Sequence, residues 1–141
     1  MTKMAEHEPG SVGSGAELTS GGSSRTAAHV GNDVWDGRFG VSGPEVRTRA
    51  SREDLVMLDV READELERAR ISGVWHVPLS TFPSHLTLTP PDAPTVVVCH
   101  HGVRSAWVVH QLRRAGWRRV FNLDGGIDAW YHEVDPSVGR Y

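Results

Sequence analysis

Apolar residues in this chain come in short continuous runs that are separated by charged or turn-forming residues. Five of the runs have the length of β-strands, and they lie at residues 39–41, 55–60, 74–77, 95–98 and 120–123. Continuous runs, unlike runs in which apolar and polar residues alternate, are typical of strands that are covered on both faces. The pattern therefore predicts a parallel sheet with helices on its two sides.

Helix signals fill the intervals between these runs. Ser42 and Glu45 have the spacing of a capping box, which predicts that a helix begins there. Further helices are predicted at 63–68, at 82–86 after Ser80, from Ser105 to about Gly116, and from the glycine turn at 125–126 through residue 130. Because strands and helices alternate and hairpin signals are absent, we expect an α/β fold with about five mainly parallel strands.

The first residues of the chain have a different composition from the rest. Residues 1–31 are rich in Gly and Ser, contain no aromatic residue and show no helical or strand period. Such a segment buries too little apolar surface to offset the entropy of ordering it. The first aromatic residue is Trp35. We therefore expect a flexible tail over residues 1–38 and one folded domain over residues 39–141.

Composition and charge exclude several classes of function. The 141 residues contain 15 Lys and Arg against 18 Asp and Glu, a net charge of −3 that gives no support for nucleic-acid or polybasic membrane binding. No apolar run approaches the roughly 18 residues of a membrane span, and the first residues lack the apolar stretch of a signal peptide, so a cytoplasmic location is expected. One cysteine excludes an intramolecular disulfide and a multi-cysteine metal site.

That single cysteine, Cys99, directly follows the strongest strand run and begins the segment CHHGVRS. In open parallel sheets, ligands bind at the carboxyl ends of strands, where loops lead into helices. Gly102 lets the loop curl, and its backbone N–H groups and the helix that follows favour thiolate over thiol. Arg104 adds a cation suited to an anionic substrate. A free cysteine is often only a small buried apolar residue, but the adjacent Gly and Arg favour a catalytic nucleophile.

Two histidines and two glycines accompany the loop. His100 and His101 either donate hydrogen bonds to a bound anion or only line the rim of the pocket. They are not expected to bind a metal together with Cys99, because adjacent residues cannot all turn onto one ion. Gly125 and Gly126 permit a tight turn and a close approach of backbones, so we expect them to shape the pocket.

Asp59 and Arg61 lie at the end of the predicted strand 55–60, where charged groups need partners. We expect both to have supporting roles. Asp59 is predicted to hold the active loop or a neighbouring helix by hydrogen bonds. Arg61 is predicted to pair with a carboxylate such as Glu62 or Glu65.

Four blocks of the chain together resemble a single rhodanese domain from about residue 41 to residue 141. They are LDVRE at 58–62, ISGV at 71–74 leading to VPL at 77–79, CHHGVRS at 99–105 and DGGIDAW at 124–130. Arg70 departs from the pattern, since the family commonly has histidine there. The resemblance implies a three-layer rhodanese-like fold and a sulfurtransferase that passes sulfane sulfur through a persulfide on Cys99, without cofactor or metal.

The resemblance also implies roles and partners. The donor is a small anion such as thiosulfate, and the acceptor is a thiol, cyanide or a protein thiol. The donor-binding residues are implied to be the six that follow the nucleophile, namely His100, His101, Gly102, Val103, Arg104 and Ser105. Residues 134–141 resemble the ending of rhodanese domains that are fused to sulfur-carrier-activating enzymes.

Two other functions remain open at this level. The domain is alternatively a sulfur-relay or protein-interaction module that serves a sulfur-carrier-activating system, with Trp107 as part of a docking surface. The less favoured alternative is a phosphatase or an arsenate reductase. Dual-specificity phosphatases of the cell-cycle type have five residues between Cys and Arg, whereas Cys99 and Arg104 enclose four, and no second cysteine can resolve a disulfide.

Overall fold

One parallel sheet of five strands organises the protein, in the order β1-β5-β4-β2-β3. The computed structural model describes residues 33–85 and 89–141. The strands are β1 (Gly40–Val41), β2 (Val56–Asp59), β3 (Trp75–His76), β4 (Thr95–Val98) and β5 (Val120–Leu123). Each neighbouring pair runs parallel, so the predicted α/β fold is confirmed.

In the described residues, α1 (Gly43–Ala50), α2 (Ala63–Arg68) and α3 (Val103–Arg114) each connect two strands, and α4 (Gly126–Glu133) follows β5. Two 3₁₀ helices cover Leu79–His85 and Pro136–Val138. The first of these replaces the short helix predicted at 82–86, whose last residue lies outside the described residues. Among the helices of the described ranges, none is long and apolar enough to cross a membrane.

The core has two parts, one on each face of the sheet. Successive side chains of a strand point to opposite faces, so Val96 and Val98 pack with the apolar residues of α1, α2 and α4. Val97 and Cys99 pack on the other face, with Val108 and the rest of the apolar side of α3. The cysteine therefore points towards the helix that its own loop begins.

The predicted capping box at α1 is confirmed. The Ser42 hydroxyl accepts a hydrogen bond from the Glu45 N–H, and the Glu45 carboxylate accepts one from the Ser42 N–H. The same carboxylate pairs with Arg38 at 2.8 Å. These bonds satisfy N–H groups that have no partner within the helix, and they orient α1 against the edge strand β1.

The packed part of the chain begins before the predicted boundary at Phe39. Trp35 is only 3% exposed and packs edge-on against Phe121, with ring centroids 5.3 Å apart. The Arg49 guanidinium lies over the Trp35 ring and pairs with Asp33. The prediction of a tail over residues 1–38 is therefore wrong for residues 33–38, because Trp35 contributes a large apolar surface to the core. The remainder of that predicted tail lies outside the described residues.

Candidate active site

Cys99 is the first residue after β4, at the carboxyl edge of the sheet, and it is only 1% exposed. Its Sγ accepts hydrogen bonds from the Gly102 N–H at 3.1 Å and the Ser105 N–H at 3.3 Å, and the Ser105 hydroxyl oxygen lies 3.2 Å from it, within hydrogen-bond distance. Three donors that converge on one sulfur stabilise a negative charge there. The arrangement is suited to a thiolate nucleophile or to a charged sulfur bound to it.

Gly102 allows the loop to turn back over the sulfur. Its φ is +99°, a left-handed conformation that favours glycine, and it caps α3, which begins at Val103 rather than at the predicted Ser105. A Cβ at Gly102 would lie 3.2 Å from the Gly125 backbone nitrogen. The turn thus brings the N–H groups of Gly102 and Ser105 onto the Cys99 sulfur, while Val103 remains 78% exposed.

Asn122 on β5 forms hydrogen bonds with two residues of the loop, Gly102 and Ser105. Its Oδ1 accepts a hydrogen bond of 2.5 Å from the Ser105 hydroxyl, and its Nδ2 donates to the Gly102 carbonyl at 3.2 Å. Because a hydroxyl carries one proton, Ser105 donates either to Asn122 or to the sulfur. Sequence reasoning missed Asn122. The available signal was one polar residue within the apolar strand Val120–Leu123.

The carbonyl groups of Cys99 and His100 are directed towards α4. The Ile127 N–H donates to the Cys99 carbonyl at 2.9 Å, and the Asp128 N–H donates to the His100 carbonyl at 3.1 Å. Gly126, at φ +63°, lets the two backbones approach, since a Cβ there would lie 2.5 Å from the Cys99 oxygen. Gly125 has φ +78° and caps α4. The backbone of Gly126 therefore lies against the backbone of Cys99 and His100, as the expected close approach requires.

Asp59 and Arg61 form a buried ion pair, and both side chains have no exposed surface. Arg61 Nη2 lies 2.8 Å from Asp59 Oδ2, and Arg61 Nε lies 3.0 Å from Oδ1. The prediction that Arg61 pairs with Glu62 or Glu65 is wrong. Residues two apart at a strand end project to the same side, so Asp59 is the nearer partner, while Arg61 reaches only the main-chain oxygen of Glu65. The Glu62 carboxylate accepts hydrogen bonds from Ser80.

Glu65 on α2 holds Arg104. The two terminal nitrogens of Arg104 lie 2.7 and 2.8 Å from the two carboxylate oxygens of Glu65. The hydrogen bonds from Arg104 outweigh the effect of burial and lower the pKa of Glu65 to about 2, and the Glu62 N–H also donates to this carboxylate. Its pairing with Glu65 in turn raises the pKa of Arg104. Sequence reasoning placed Glu65 only as a partner of Arg61, although its place on α2 beside the loop is what brings it to Arg104.

His100 lies in a stack of three rings. The His101 ring packs on one side with centroids 3.9 Å apart, and the Tyr141 ring packs against His100 at 3.9 Å and 10°. Burial and the nearby His101 lower the pKa of His100, which favours the neutral form of its ring. The ligand atoms of His100, His101 and Asp128 lie within 4.8 Å of one another. Nitrogen lone pairs lie in the ring planes, so two stacked rings converge on one ion only after they unstack.

The loop places a cysteine at the end of a strand, N–H donors on its sulfur and an arginine nearby, and a comparison with known protein families is consistent with this arrangement. Residues 42–133 match the rhodanese-like domain. The chain belongs to the rhodanese-like family. Of the elements in the described part of the chain, the match spans α1 to α4 and β2 to β5. The resemblance expected from the four sequence blocks is thereby confirmed.

Curated relatives of this rhodanese-like domain include sulfurtransferases. It is 33% identical over 89 residues to a sulfurtransferase of Allochromatium vinosum, covering 63% of this chain and 83% of that protein. It is 29% identical over 78 residues to the thiosulfate sulfurtransferase GlpE of Tolumonas auensis, covering 55% of this chain and 74% of that protein. It is 32% identical over 96 residues to the adenylyltransferase and sulfurtransferase UBA4 of Meyerozyma guilliermondii, covering 62% of this chain. The chain spans only 23% of UBA4.

A solved structure agrees with the fold. The crystal structure of a rhodanese-related protein from Thermoplasma volcanium superposes with a TM-score of 0.62 at 27% identity. The superposition covers 68% of this chain and 93% of the other. The three-layer rhodanese-like fold expected from sequence is therefore confirmed.

Proposed function

We propose that this rhodanese-like domain is a sulfurtransferase that moves a sulfane sulfur from an anionic donor such as thiosulfate to a thiophilic acceptor. The observation that carries the proposal is the Cys99 Sγ, on which two N–H groups and a hydroxyl converge. The names of the two bacterial relatives support the same reaction class, and the name of one includes the donor.

In the first half-reaction, the Cys99 thiolate attacks the outer sulfur of thiosulfate. A bond forms between Sγ and that sulfur, and the bond to the sulfonate sulfur breaks, with its electron pair leaving on sulfite. The enzyme keeps a persulfide with one negative charge, so charge balances on the two sides. The amides that curl over Sγ favour this step because they stabilise the persulfide charge without reorganising.

Arg104 is the group proposed to bind the oxyanion end of the donor. Glu65 accepts one N–H from each terminal nitrogen of Arg104, so three of the five guanidinium N–H groups are not used in that pair. The pairing also restricts the orientation of the guanidinium. A positioned fork of donors binds a sulfonate or sulfate group with less loss of entropy than a freely rotating side chain.

In the second half-reaction, a thiophilic acceptor attacks the outer persulfide sulfur. With cyanide, a carbon–sulfur bond forms, the sulfur–sulfur bond breaks, and its electron pair returns to Sγ as thiolate. Thiocyanate leaves, and the enzyme is ready for another donor. The same attack by a thiol or a protein thiol gives a persulfide on the acceptor. The proposal includes no cofactor or metal, and the cytoplasmic location stays a prediction.

Mass spectrometry of the intact protein after incubation with thiosulfate tests the proposal. We expect the wild-type protein to gain the mass of one sulfur, located on Cys99 by peptide mapping, and to lose it when cyanide is added. The Cys99→Ala variant should show no gain. A wild-type protein that gains no sulfur from thiosulfate or from other sulfane donors would refute the proposed activity.

A second candidate function is sulfur relay to a partner protein. Val103 and Trp107 are 78% and 49% exposed, and they lie one helical turn apart on α3 beside the loop. Exposed apolar groups at that place favour protein docking, and UBA4 provides a relative in which adenylyltransferase and sulfurtransferase occur in one protein. Slow turnover with thiosulfate and cyanide, together with fast persulfide transfer to one protein acceptor, would favour the relay. Fast turnover with the small molecules would favour the enzyme.

A further inference from the structure

Tyr141 joins two ion pairs that otherwise lie apart. Its hydroxyl donates to Glu65 Oε1 at 2.7 Å and accepts from Arg61 Nη1 at 3.2 Å. Arg61 belongs to the buried pair with Asp59, and Glu65 holds Arg104. One phenol group therefore connects the end of β2, the helix α2 and the arginine of the catalytic loop.

The hydrogen bonds at Glu65 show why this link matters for Arg104. Oε1 accepts from Tyr141 and from Arg104, while Oε2 accepts from the Glu62 N–H and from Arg104. With two donors at each oxygen, the carboxylate has one preferred orientation. Because Arg104 binds both oxygens, the orientation of the carboxylate determines that of the guanidinium.

The ring of Tyr141 makes a second contact with the loop. It packs nearly parallel on His100, the residue next to the nucleophile, at 3.9 Å between centroids. The Arg61 guanidinium also lies 5.7 Å from the centre of the Tyr141 ring. Tyr141 is thus held both at its hydroxyl and at its ring, although His100, the nearest of these partners in sequence, lies 41 residues before it.

We propose that Tyr141 is a positioning residue of the sulfur-transfer site. Its hydroxyl fixes Glu65, and through Glu65 it fixes Arg104 for the anionic donor. The inference rests on the proposed function, which supplies the donor. Tyr141 itself does not contact Cys99 by any hydrogen bond found in the described residues, so it acts on donor binding and not on the sulfur.

The Tyr141→Phe variant tests the hydroxyl and keeps the ring on His100. We expect the KM for thiosulfate to rise about three- to ten-fold, because a hydrogen bond to a charged group is lost and partly replaced by water. The kcat should stay within about two-fold, since the donors to Sγ are untouched. Tyr131→Phe is the matched control. Tyr131 packs on His132 and under Arg140, and no hydrogen bond joins it to Arg61, Glu65 or Arg104 in the described residues, so its loss of the hydroxyl should leave both constants unchanged.

A second measurement needs no sulfur donor. The ratio of Cys99 alkylation rates with anionic iodoacetate and neutral iodoacetamide reports the positive charge near the sulfur, and the thiolate fraction cancels in the ratio. We expect this ratio to fall about three-fold in Tyr141→Phe, as Arg104 becomes less ordered, and to stay at the wild-type value in Tyr131→Phe. Arg104→Ala marks the lower limit.

The two measurements separate the possible failures. A wild-type protein that forms no persulfide overturns the proposed function, and the alkylation ratio then decides alone whether Tyr141 positions Arg104. A Tyr141→Phe variant with wild-type KM and wild-type alkylation ratio overturns the inference, whatever the activity of the wild type. A fall in kcat with unchanged KM would also overturn it, because that result indicates an effect on the sulfur and not on donor binding.

Discussion

Gly126→Ala should damage the catalytic loop far more than Gly37→Ala, a substitution of another glycine at positive φ. The new Cβ would lie 2.5 Å from the Cys99 carbonyl oxygen and still nearer to the His100 oxygen. Both are backbone atoms, so neither can move as the end of a flexible side chain does. The loop must shift, or α4 must move away from it.

The size of the effect follows from three contributions. A non-glycine residue at φ +63° costs about 1 kcal/mol. Displacing the loop weakens the hydrogen bonds from Ile127 to Cys99 and from Asp128 to His100, at about 1 kcal/mol each. We therefore expect the free energy of unfolding to fall by about 3 kcal/mol. If the loop does not move, we expect the steric strain of the close contact to destabilise the folded state by a similar amount. Gly37→Ala is the control, because Gly37 has φ +83° and nothing within 4 Å of its Cβ position, so about 1 kcal/mol is expected.

Urea unfolding measures the free energy of unfolding of each variant. The rate of persulfide formation, monitored by mass spectrometry, reports whether the loop still supports the reaction. The free energy of unfolding should fall by about 2 kcal/mol more in Gly126→Ala than in Gly37→Ala. At a temperature where both variants are folded, Gly126→Ala should also form the persulfide more slowly. If the two variants unfold at the same free energy and react at the same rate, the close approach of the two backbones does not constrain the site.

Two further predictions concern the ion pairs. The pKa of Glu65 is lowered from its ordinary value of 4.5 to about 2, so the stability due to the pair is present above pH 4.5 and is lost as the pH falls towards 2. Glu65→Gln should lower the free energy of unfolding by about 1–2 kcal/mol at pH 6, an amount that includes a reduction for solvent screening at the partly exposed Arg104. In urea unfolding, a difference between wild type and variant that is as large at pH 3 as at pH 6 would contradict the assignment. Asp59→Ala should cost about 3–5 kcal/mol because it leaves Arg61 buried without its carboxylate, whereas Asp59→Leu combined with Arg61→Met should cost less. Equal losses in the single and the double variant would show that the charge of Arg61 is not the reason.

Local signals were sufficient for most of the elements. The runs at 95–98 and 120–123 and the helix at 63–68 have the predicted bounds, and each of them is preceded by a proline or a charged residue. The N-terminal boundary was missed because Val34 and Trp35 form too short an apolar run to predict an element, and Trp35 packs against the distant residues Phe121 and Arg49. Periodicity within a segment cannot report a contact with a distant one.

The reactive residues of the loop could be predicted from the sequence, but the distant residues that hold them in place could not. Cys99, Gly102 and Arg104 lie within one short segment, so their meeting could be predicted from local spacing. The Glu65 carboxylate reaches Arg104 across 39 residues, and the Tyr141 hydroxyl reaches Glu65 across 76. Choosing among several carboxylates for one arginine requires the three-dimensional arrangement, and this is why Arg61 was assigned the wrong partner.

The place of β4 within the sheet has a consequence for local unfolding. β4 is paired on both sides, with β2 and with β5, while the edge strands β1 and β3 are two residues long. Edges open and exchange their amide hydrogens at low free energy, whereas a doubly paired central strand exchanges only when most of the domain unfolds. The nucleophile is thus attached to the segment that opens last, so fraying of the edges leaves the sulfur and its amide donors in register.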